Sequence, residues 1–245
     1  MATILIVKTG STYPEIENRH GNFEAWFQRI ISPLGMHSVT WYAVDEQRPS
    51  PHERYQGIVI TGSPAMVSDK APWSEQAARF IANQVSQGVP VLGVCFGHQL
   101  LAYAMGGQID YHPQGREIGT LEVSLTDAAR EDILLSALPP RFCAHLTHMQ
   151  SVISLPANAT RLASSNHEST QAFRIGHSAW GVQFHPEFTP EIMHAYIDRL
   201  SQRLEEEGLA TQAIRKAVRD TPHATSVLRR FAQLIKEGYF DKTPA

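Results

Sequence analysis

The sequence contains the run Val89-Pro90-Val91-Leu92-Gly93-Val94-Cys95-Phe96-Gly97-His98-Gln99, in which one cysteine separates an apolar segment from a helix-forming one. Residues 89–94 are few, apolar and rich in β-branched side chains, which favours a buried strand of a parallel sheet. Strong helix formers follow over 99–105. Glycines two positions before and after the cysteine allow a strand to turn sharply into a helix, as in the G-x-S-x-G elbow of serine hydrolases. The run therefore predicts a cysteine exposed at the carboxyl edge of a sheet.

Two roles are open to Cys95. The amino end of the helix that follows carries a partial positive charge that favours a nucleophilic thiolate. A lone cysteine at the end of a core strand is also commonly inert packing. A catalytic role requires a base elsewhere in the chain.

A second short apolar run, residues 179–184, ends in His185-Pro186-Glu187. Residues i and i+2 of an extended segment point the same way, so the imidazole and the carboxylate can lie side by side. A thiolate nucleophile needs a base, and the base needs a third group that fixes its orientation. Cys95, His185 and Glu187 fit these roles. Alternatively, His185 is a structural histidine at a strand end and Glu187 a helix cap.

Strand-like and helix-like segments alternate over the first hundred residues. The predicted strands are 4–8, 39–42, 58–61 and 89–94, and the predicted helices are 22–31 and 74–87. This alternation indicates an α/β fold with a doubly wound, mostly parallel sheet, whose ligands lie beyond the carboxyl ends of the strands. Four β-rich segments follow, at 119–125, 161–165, 170–175 and 179–184. They predict a small antiparallel extension that returns His185 to the cysteine.

The last part of the chain differs from the rest. Thr189-Pro190-Glu191 is typical of a helix start, and helix-like runs follow at 213–218 and 227–235. One helical face is apolar: Ile192, Met193, Tyr196, Ile197, Leu200 and Leu204. The sequence predicts a main domain over 1–190 and a C-terminal helical extension over 191–245. The extension either packs back on the core, which is the simplest reading, covers the site, or mediates self-association.

Composition excludes several classes of function. The 245 residues are 42% hydrophobic with a net charge of −3, which gives no electrostatic footprint for nucleic acid or an anionic membrane. No apolar run approaches the ~20 residues that cross a bilayer. Two cysteines cannot build a disulfide framework, so the sequence predicts a cytoplasmic protein. Cys143 is expected to fill the core. No metal or cofactor is expected, because no metal-binding or nucleotide-binding motif occurs.

The elbow over 93–99 and the Gly-Val-Gln-Phe-His-Pro-Glu ending over 181–187 resemble the two signature motifs of class I glutamine amidotransferases. Three other segments resemble parts of the same family: 60–64, 148–152 and 171–174. The resemblance covers about residues 3 to 190. It is strongest to the amidotransferase part of GMP synthases and to stand-alone gamma-glutamyl peptidases, and it implies a flavodoxin-like fold.

The resemblance also implies a role for each triad residue. Cys95 would attack the side-chain amide carbon of glutamine. His185 would protonate the departing ammonia and then activate water to hydrolyse the glutamyl thioester. Glu187 would steady the imidazole.

Backbone N–H groups of Phe96 and of the Gly62-Ser63 loop would form the oxyanion hole. Gln99 and the segment His148-Met149-Gln150 would bind the amino-acid end of the substrate. This chain departs from the GMP synthase pattern at two places. Gly62-Ser63 replaces two glycines, and Met149-Gln150 stands where an aspartate follows the histidine, which changes how the substrate or a partner is recognised. Arg116-Glu117, on a loop after the elbow helix, either lines the substrate mouth or, as favoured here, forms a surface ion pair.

Three functions follow from these motifs. The first is glutamine hydrolysis that releases ammonia to a separate synthase subunit, because no segment resembles an ATP-pyrophosphatase synthase domain. The second is a stand-alone gamma-glutamyl hydrolase or peptidase. The third is a catalytically silent binding protein, against which Cys95, His185 and Glu187 argue. The motifs do not fix the ammonia acceptor or the oligomeric state.

Overall fold

A computed structural model describes residues 2–45, Pro49 and 54–240. The strands are β1 Thr3–Lys8, β2 His37–Tyr42, β3 Gly57–Ile60, β4 Val91–Val94, β5 Gln108–Tyr111, β6 Glu117–Leu125, β7 Arg141–His148, β8 Gln150–Ser154, β9 Ala159–Ser164, β10 Ala172–Ile175 and β11 Ala179–Val182. The helices are α1 Pro14–His20, α2 Phe23–Ile31, α3 Pro72–Ser86, α4 Phe96–Ala104, α5 Pro190–Glu206, α6 Thr211–Lys216 and α7 Pro222–Lys236.

Nine strands form one sheet in the order β2-β1-β3-β4-β11-β10-β9-β6-β7. The four pairs from β2 to β11 are parallel, and the four pairs from β11 to β7 are antiparallel. Strands β5 and β8 form a separate antiparallel pair. The predicted α/β fold with a mostly parallel region and an antiparallel extension is confirmed.

Strands β4 and β11 are parallel neighbours, although they are far apart in the chain. Val182 lies opposite Val94 in the register. Cys95 therefore follows one of two adjacent strands by one residue, and His185 follows the other by three. The sequence placed β11 within the antiparallel extension. In the structure, β11 joins the two regions, because it pairs parallel with β4 on one side and antiparallel with β10 on the other.

Two glycines permit the turn between β4 and α4. A Cβ atom on Gly93 would collide with the backbone carbonyl of Gly97, and one on Gly97 would collide with the carbonyl of Ile60. The strand, the helix and the neighbouring β3 therefore approach more closely than any side chain would allow. This contact supports the elbow predicted from the sequence.

Helices cover both faces of the sheet. One buried cluster joins the sheet to α2 and α7, and a second joins it to α3 and α4. The predicted apolar face of α5 is buried in a third cluster with residues of α1 and α2. The C-terminal helices thus pack back on the core. In the described part of the chain, no helix has the length and apolar character needed to cross a membrane.

The sequence assigned no strand to 141–148, where the structure has β7. The prediction that Cys143, within this strand, fills the core was wrong. Phe142 and Ala144 point into the core, so Cys143 lies on the opposite face of β7 and is only half-buried. Its Sγ accepts a hydrogen bond from Arg219 Nη2 at 2.9 Å.

Candidate active site

A cavity of about 150 Å³ opens at the carboxyl ends of the parallel strands, where Cys95 lies. Its walls come from the loops after β1, β3, β4 and β11, from the β7–β8 turn and from α5. The lining residues are Thr12, Tyr13, Phe23, Ser63, Pro64, Ala65, Met66, Cys95, Phe96, Gln99, Arg116, Thr147, His148, Met149, Gln150, His185, Tyr196, Leu200 and Arg203. Most residues assigned to the site from the sequence are brought together here. Gly62 and Glu187 lie outside the cavity wall.

Cys95 has a strained backbone conformation. Its φ of 52° and ψ of −106° are rare for a residue with a side chain. The N–H of Cys95 donates to the Val182 carbonyl at 2.9 Å, so the strain is held by the adjacent strand. The Sγ atom lies 3.7 Å from the Thr147 carbonyl. This geometry presents the sulfur to the cavity at the amino end of α4, where the helix dipole favours negative charge.

His185 and Glu187 form a buried pair. Their Nδ1 and Oε1 atoms are 2.7 Å apart, and the two side chains are 2% and 0% exposed. Burial alone would lower the pKa of His185, but the charges of Glu187 and Cys95 outweigh it and raise this pKa to about 10. Because Nδ1 faces the carboxylate, Nε2 is the atom left for Cys95. No described residue accepts a geometrically good hydrogen bond from Nε2.

Phe188 holds the imidazole from one side. Its ring stacks on that of His185 with centroids 4.0 Å apart and planes inclined by 23°. The His185 N–H donates to the His145 carbonyl at 2.9 Å. Burial and the positive charge of His185 lower the pKa of His145 to about 4, so His145 stays neutral beside it. The His185 ring therefore has one orientation fixed by packing and hydrogen bonding.

The predicted oxyanion-hole groups lie next to Cys95 and His185. A Cβ atom on Gly62 would lie 3.1 Å from His185 Cε1 and 3.7 Å from Cys95 Cβ. The Gly62 carbonyl accepts hydrogen bonds from the Thr9 and Thr61 hydroxyls at 3.0 and 2.9 Å. In a trans peptide the Ser63 N–H points away from that carbonyl and thus away from both threonines. As the first residue of α4, Phe96 has an N–H that the helix cannot satisfy.

The predicted substrate-binding side chains are largely occupied by one another. Gln99 Nε2 donates to the Gln150 carbonyl at 2.7 Å and to Gln183 Oε1 at 3.0 Å. The side-chain amide of Gln150 donates through Nε2 to Ser68 Oγ at 2.5 Å. His148 Nδ1 lies 3.0 Å from the Gln150 carbonyl. These contacts fix the β7–β8 turn, while the Met149 side chain lines the cavity.

The expected surface ion pair between Arg116 and Glu117 is wrong. Glu117 begins β6, is 4% exposed and accepts a hydrogen bond from His148 Nε2 at 2.8 Å. Arg116, which precedes β6, points instead into the cavity wall and pairs with Glu207 at 2.9 Å. Adjacent residues of an extended segment point to opposite sides, so the side chains of Arg116 and Glu117 diverge where the chain enters β6. The other alternative from the sequence, that Arg116 lines the mouth of the cavity, is what the structure has.

Helix α5 supplies three cavity residues that the sequence did not assign to the site. Tyr196, Leu200 and Arg203 line the cavity. Their spacing of four and three residues places them on one side of the helix. The sequence identified Tyr196 and Leu200 as part of an apolar face, left open that the C-terminal helices cover the site, and gave no role to Arg203. The Tyr196 hydroxyl lies 2.7 Å from Thr12 Oγ1, which ties α5 to the loop after β1. Within the described residues, no three His, Cys, Asp or Glu side chains are grouped to hold a metal ion.

The family of the chain follows from sequence comparison. The family model "Glutamine amidotransferase class-I" matches residues 17–201, about three quarters of the chain. The protein belongs to the class I glutamine amidotransferase family, as the sequence motifs indicated. The match extends past residue 190 into α5.

The chain is similar to several known proteins. Gamma-glutamyl peptidase 3 of Arabidopsis thaliana is 28% identical over 218 residues, which cover 84% of this chain and 86% of the peptidase. The glutamine-hydrolyzing GMP synthase of Aeropyrum pernix is 33% identical over 172 residues, which cover 68% of this chain but only 31% of the synthase. The crystal structure of a glutamine amidotransferase from Thermotoga maritima matches with a TM-score of 0.76 at 20% identity, over 99% of each chain. The last comparison confirms the fold.

Proposed function

We propose that this protein hydrolyses a γ-glutamyl amide through a thioester on Cys95, with glutamine as the first substrate. The observation that carries the proposal is the buried Glu187–His185 pair beside a strained cysteine at the amino end of α4. A cysteine, a base and a group that orients the base are the requirements for nucleophilic acyl transfer. The chain belongs to the class I glutamine amidotransferases, and one of its relatives is named as a glutamine-hydrolyzing synthase.

The reaction would proceed in two steps. Cys95 Sγ attacks the amide carbon, and the negative charge that develops on the carbonyl oxygen is held by the N–H groups of Phe96 and of the Gly62-Ser63 loop. His185 gives its proton to the amide nitrogen, the carbon–nitrogen bond breaks and ammonia leaves. His185, now neutral, takes a proton from water, and the resulting hydroxide displaces the thiolate to release glutamate.

The destination of the ammonia is the finer part of the proposal. One relative is a GMP synthase of which this chain matches about a third, so a separate synthase chain is the proposed acceptor of ammonia.

The proposed location is the cytoplasm. We also propose that residues 1–190 form the amidotransferase domain and that 191–245 extend it, with α5 completing the cavity wall.

A γ-glutamyl peptidase is the second candidate. Its support is that the match to gamma-glutamyl peptidase 3 covers 84% of this chain and 86% of the peptidase. In this case the same thioester chemistry acts on a γ-glutamyl peptide, and an amino acid or peptide leaves in place of ammonia.

One assay tests both candidates. Glutamate release is measured from glutamine and from γ-glutamyl dipeptides with the wild type, Cys95→Ser and Cys143→Ser. We expect Cys95→Ser to lose at least about 10³-fold in kcat/KM, since the nucleophile is removed. Cys143→Ser is the matched control, because it changes the other of the two cysteines and leaves the cavity intact. Equal rates for the wild type and Cys95→Ser would refute the proposal, and the preferred substrate decides between the candidates.

A further inference from the structure

Two arginines from distant parts of the chain meet at the wall of the cavity. Arg116 precedes β6 and Arg203 lies near the end of α5, and both line the same cavity as Cys95. Glu207 bridges them. It accepts two hydrogen bonds from Arg116, at 2.9 and 3.2 Å, and one from Arg203 Nε at 3.1 Å.

The cluster carries an uncompensated positive charge. Across the described residues, Glu207 is the one carboxylate that pairs with either arginine, so two cations share one anion. The Arg116 side chain is 7% exposed, whereas that of Arg203 is 57% exposed. Glu207 already pairs with the nearly buried Arg116, so one net positive charge remains in a cluster that lines the cavity, and this charge favours an anion there.

The Met149 sulfur contacts both arginines at the cavity wall, where such an anion would bind. Arg116 Nη2 lies 3.0 Å from Met149 Sδ, and Arg203 Nη2 lies 3.9 Å from the same sulfur. A thioether is a weak acceptor, while a carboxylate binds a guanidinium through strong, charge-assisted hydrogen bonds. A carboxylate in the cavity would therefore displace a poor contact and gain a strong one.

We infer that Arg116 and Arg203, held by Glu207, form a carboxylate-binding subsite that anchors the substrate at the end of the cavity remote from the triad. The inference rests on the proposed function and specifies its substrate class: a γ-glutamyl compound with a free carboxylate. Along α5, Tyr196 and Arg203 are about 10 Å apart, at 1.5 Å per residue. Tyr196 packs on Phe188, which stacks on His185, so the arginines lie at a distance from the reacting sulfur.

Two carboxylates meet this description. One is the α-carboxylate of the glutamyl group, and the other is the carboxylate of an amino acid that leaves from the amide. Three ligands separate them: γ-glutamylglycine has both groups, γ-glutamylmethylamide has only the α-carboxylate, and glutamine α-amide has neither.

The test measures equilibrium binding of these ligands by calorimetry to Cys95→Ala protein, in which they remain intact. Adding Arg116→Gln is expected to raise the Kd of the carboxylate-bearing ligands by about 10- to 100-fold, because a charge-assisted bidentate contact is lost. Adding Arg203→Gln is expected to raise it about two- to five-fold, since this side chain is half exposed. Arg116→Lys keeps the charge without the planar fork and should give an intermediate loss.

The matched control is Arg215→Gln. Arg215 pairs with Asp198 of α5 at 2.7 Å but lies outside the cavity wall, so this variant should bind all three ligands as the parent does. If Arg116→Gln weakens the binding of γ-glutamylglycine alone, the subsite is assigned to the leaving group. If it also weakens the binding of γ-glutamylmethylamide, the subsite is assigned to the α-carboxylate.

The subsite is refuted by an unchanged Kd in Arg116→Gln, by an equal loss for the α-amide, or by a parent protein that binds none of the ligands. Turnover by the protein with Cys95 present separates this failure from that of the proposed function. If hydrolysis continues with the same KM in Arg116→Gln, only the subsite is wrong. If the wild type hydrolyses none of the substrates, the proposed function is wrong, while the binding data still report on the arginines.

Discussion

His185 lies between two acidic groups, which determines how the site should respond to pH. Glu187 and Cys95 raise its pKa to about 10 against the opposing effect of burial. The imidazole is therefore protonated at neutral pH and can give a proton to the leaving nitrogen. Catalysis by this form should decline as the pH rises through about 10 and His185 becomes neutral.

Glu187→Gln tests the origin of the raised pKa. Without the carboxylate, burial dominates and the pKa of His185 falls, so the alkaline limb of kcat/KM against pH should move down by more than one unit. The plateau rate should fall by about 10²- to 10⁴-fold, as expected for the third member of a triad. Glu191→Gln is the control, because Glu191 is an exposed carboxylate in the first turn of α5. An unmoved alkaline limb in Glu187→Gln would contradict the assignment.

The same pair links stability to pH. The folded-state pKa of His185 lies above the ordinary value of 6.5, so the protonated pair stabilises the fold fully below pH 6.5. This contribution is lost as the pH rises through about 10. The difference in unfolding free energy between the wild type and Glu187→Gln should therefore narrow over that range.

Strands β6 and β7 meet at a buried polar cluster that holds the turn beside the cavity. Glu117 accepts hydrogen bonds from His148 at 2.8 Å, Gln171 at 2.7 Å and Ser165 at 2.9 Å. Burial would raise the pKa of Glu117, but its hydrogen bond and charge interaction with His148 lower it below the ordinary value. An ionised Glu117 thus fixes His148, which in turn contacts the Gln150 carbonyl.

Glu117→Gln should therefore destabilise the protein and loosen the substrate segment. We expect a loss on the order of 3 kcal/mol in unfolding free energy, because the hydrogen bonds that this buried carboxylate accepts are weakened or lost, together with a raised KM. Because the pKa of Glu117 is lowered in the folded protein, its contribution to folding stability is present above pH 4.5. This contribution disappears as the pH falls through the folded-state pKa. Chemical denaturation at several pH values measures both effects.

Glu122→Gln on the same strand is the control. Glu122 pairs with Arg141 at 3.8 Å on the surface, with both side chains more than half exposed. Its replacement should change the unfolding free energy by less than about 1 kcal/mol. Similar losses in the two variants would show that the Glu117 cluster contributes no more than a surface pair.

Local signals explain what the sequence predicted. The β4–α4 elbow has an apolar run, two glycines and a helix-forming run within about fifteen residues, so its structure could be recognised without tertiary information. The remaining errors concern contacts between distant segments. Arg116 and Glu207 are separated by 91 residues, and the sequence supplied no pattern that pairs them. Strands β7 and β8 contain two buried histidines, His145 and His148, and one buried glutamine, Gln150. Their hydrogen-bond partners come from other segments, so an alternation of apolar and polar residues could not be recognised there.

The helices after β11 divide into two roles across the molecule. Helix α5 lines the cavity, whereas α7 packs on the sheet. The ring centroids of Phe231 and Trp180 are 6.3 Å apart, and Ile235 packs against Gly57. A Cβ on Gly57 would collide with Ile235, so this glycine allows α7 to lie close to β3. We therefore expect α7 to contribute to stability and α5 also to substrate binding.

Phe231→Ala tests the role of α7. Phe231 is fully buried, and its truncation should lower the unfolding free energy by about 3–5 kcal/mol through lost burial and a cavity. The kcat/KM of the folded protein should remain within about two-fold of the wild type, since α7 contributes no residue to the cavity wall. Gln233→Ala, an exposed change on the same helix, is the control for stability. A large kinetic defect in folded Phe231→Ala would show that α7 also shapes the site.

Trapping of the acyl-enzyme is the most direct test of the central claim, that Cys95 becomes covalently bonded to a γ-glutamyl group. The protein is mixed with substrate, quenched in acid within one turnover, digested and analysed by mass spectrometry. We expect a γ-glutamyl adduct on the peptide that contains Cys95, absent from Cys95→Ser and retained in Cys143→Ser. Substrate hydrolysis without any such adduct, or an adduct that persists in Cys95→Ser, would contradict it.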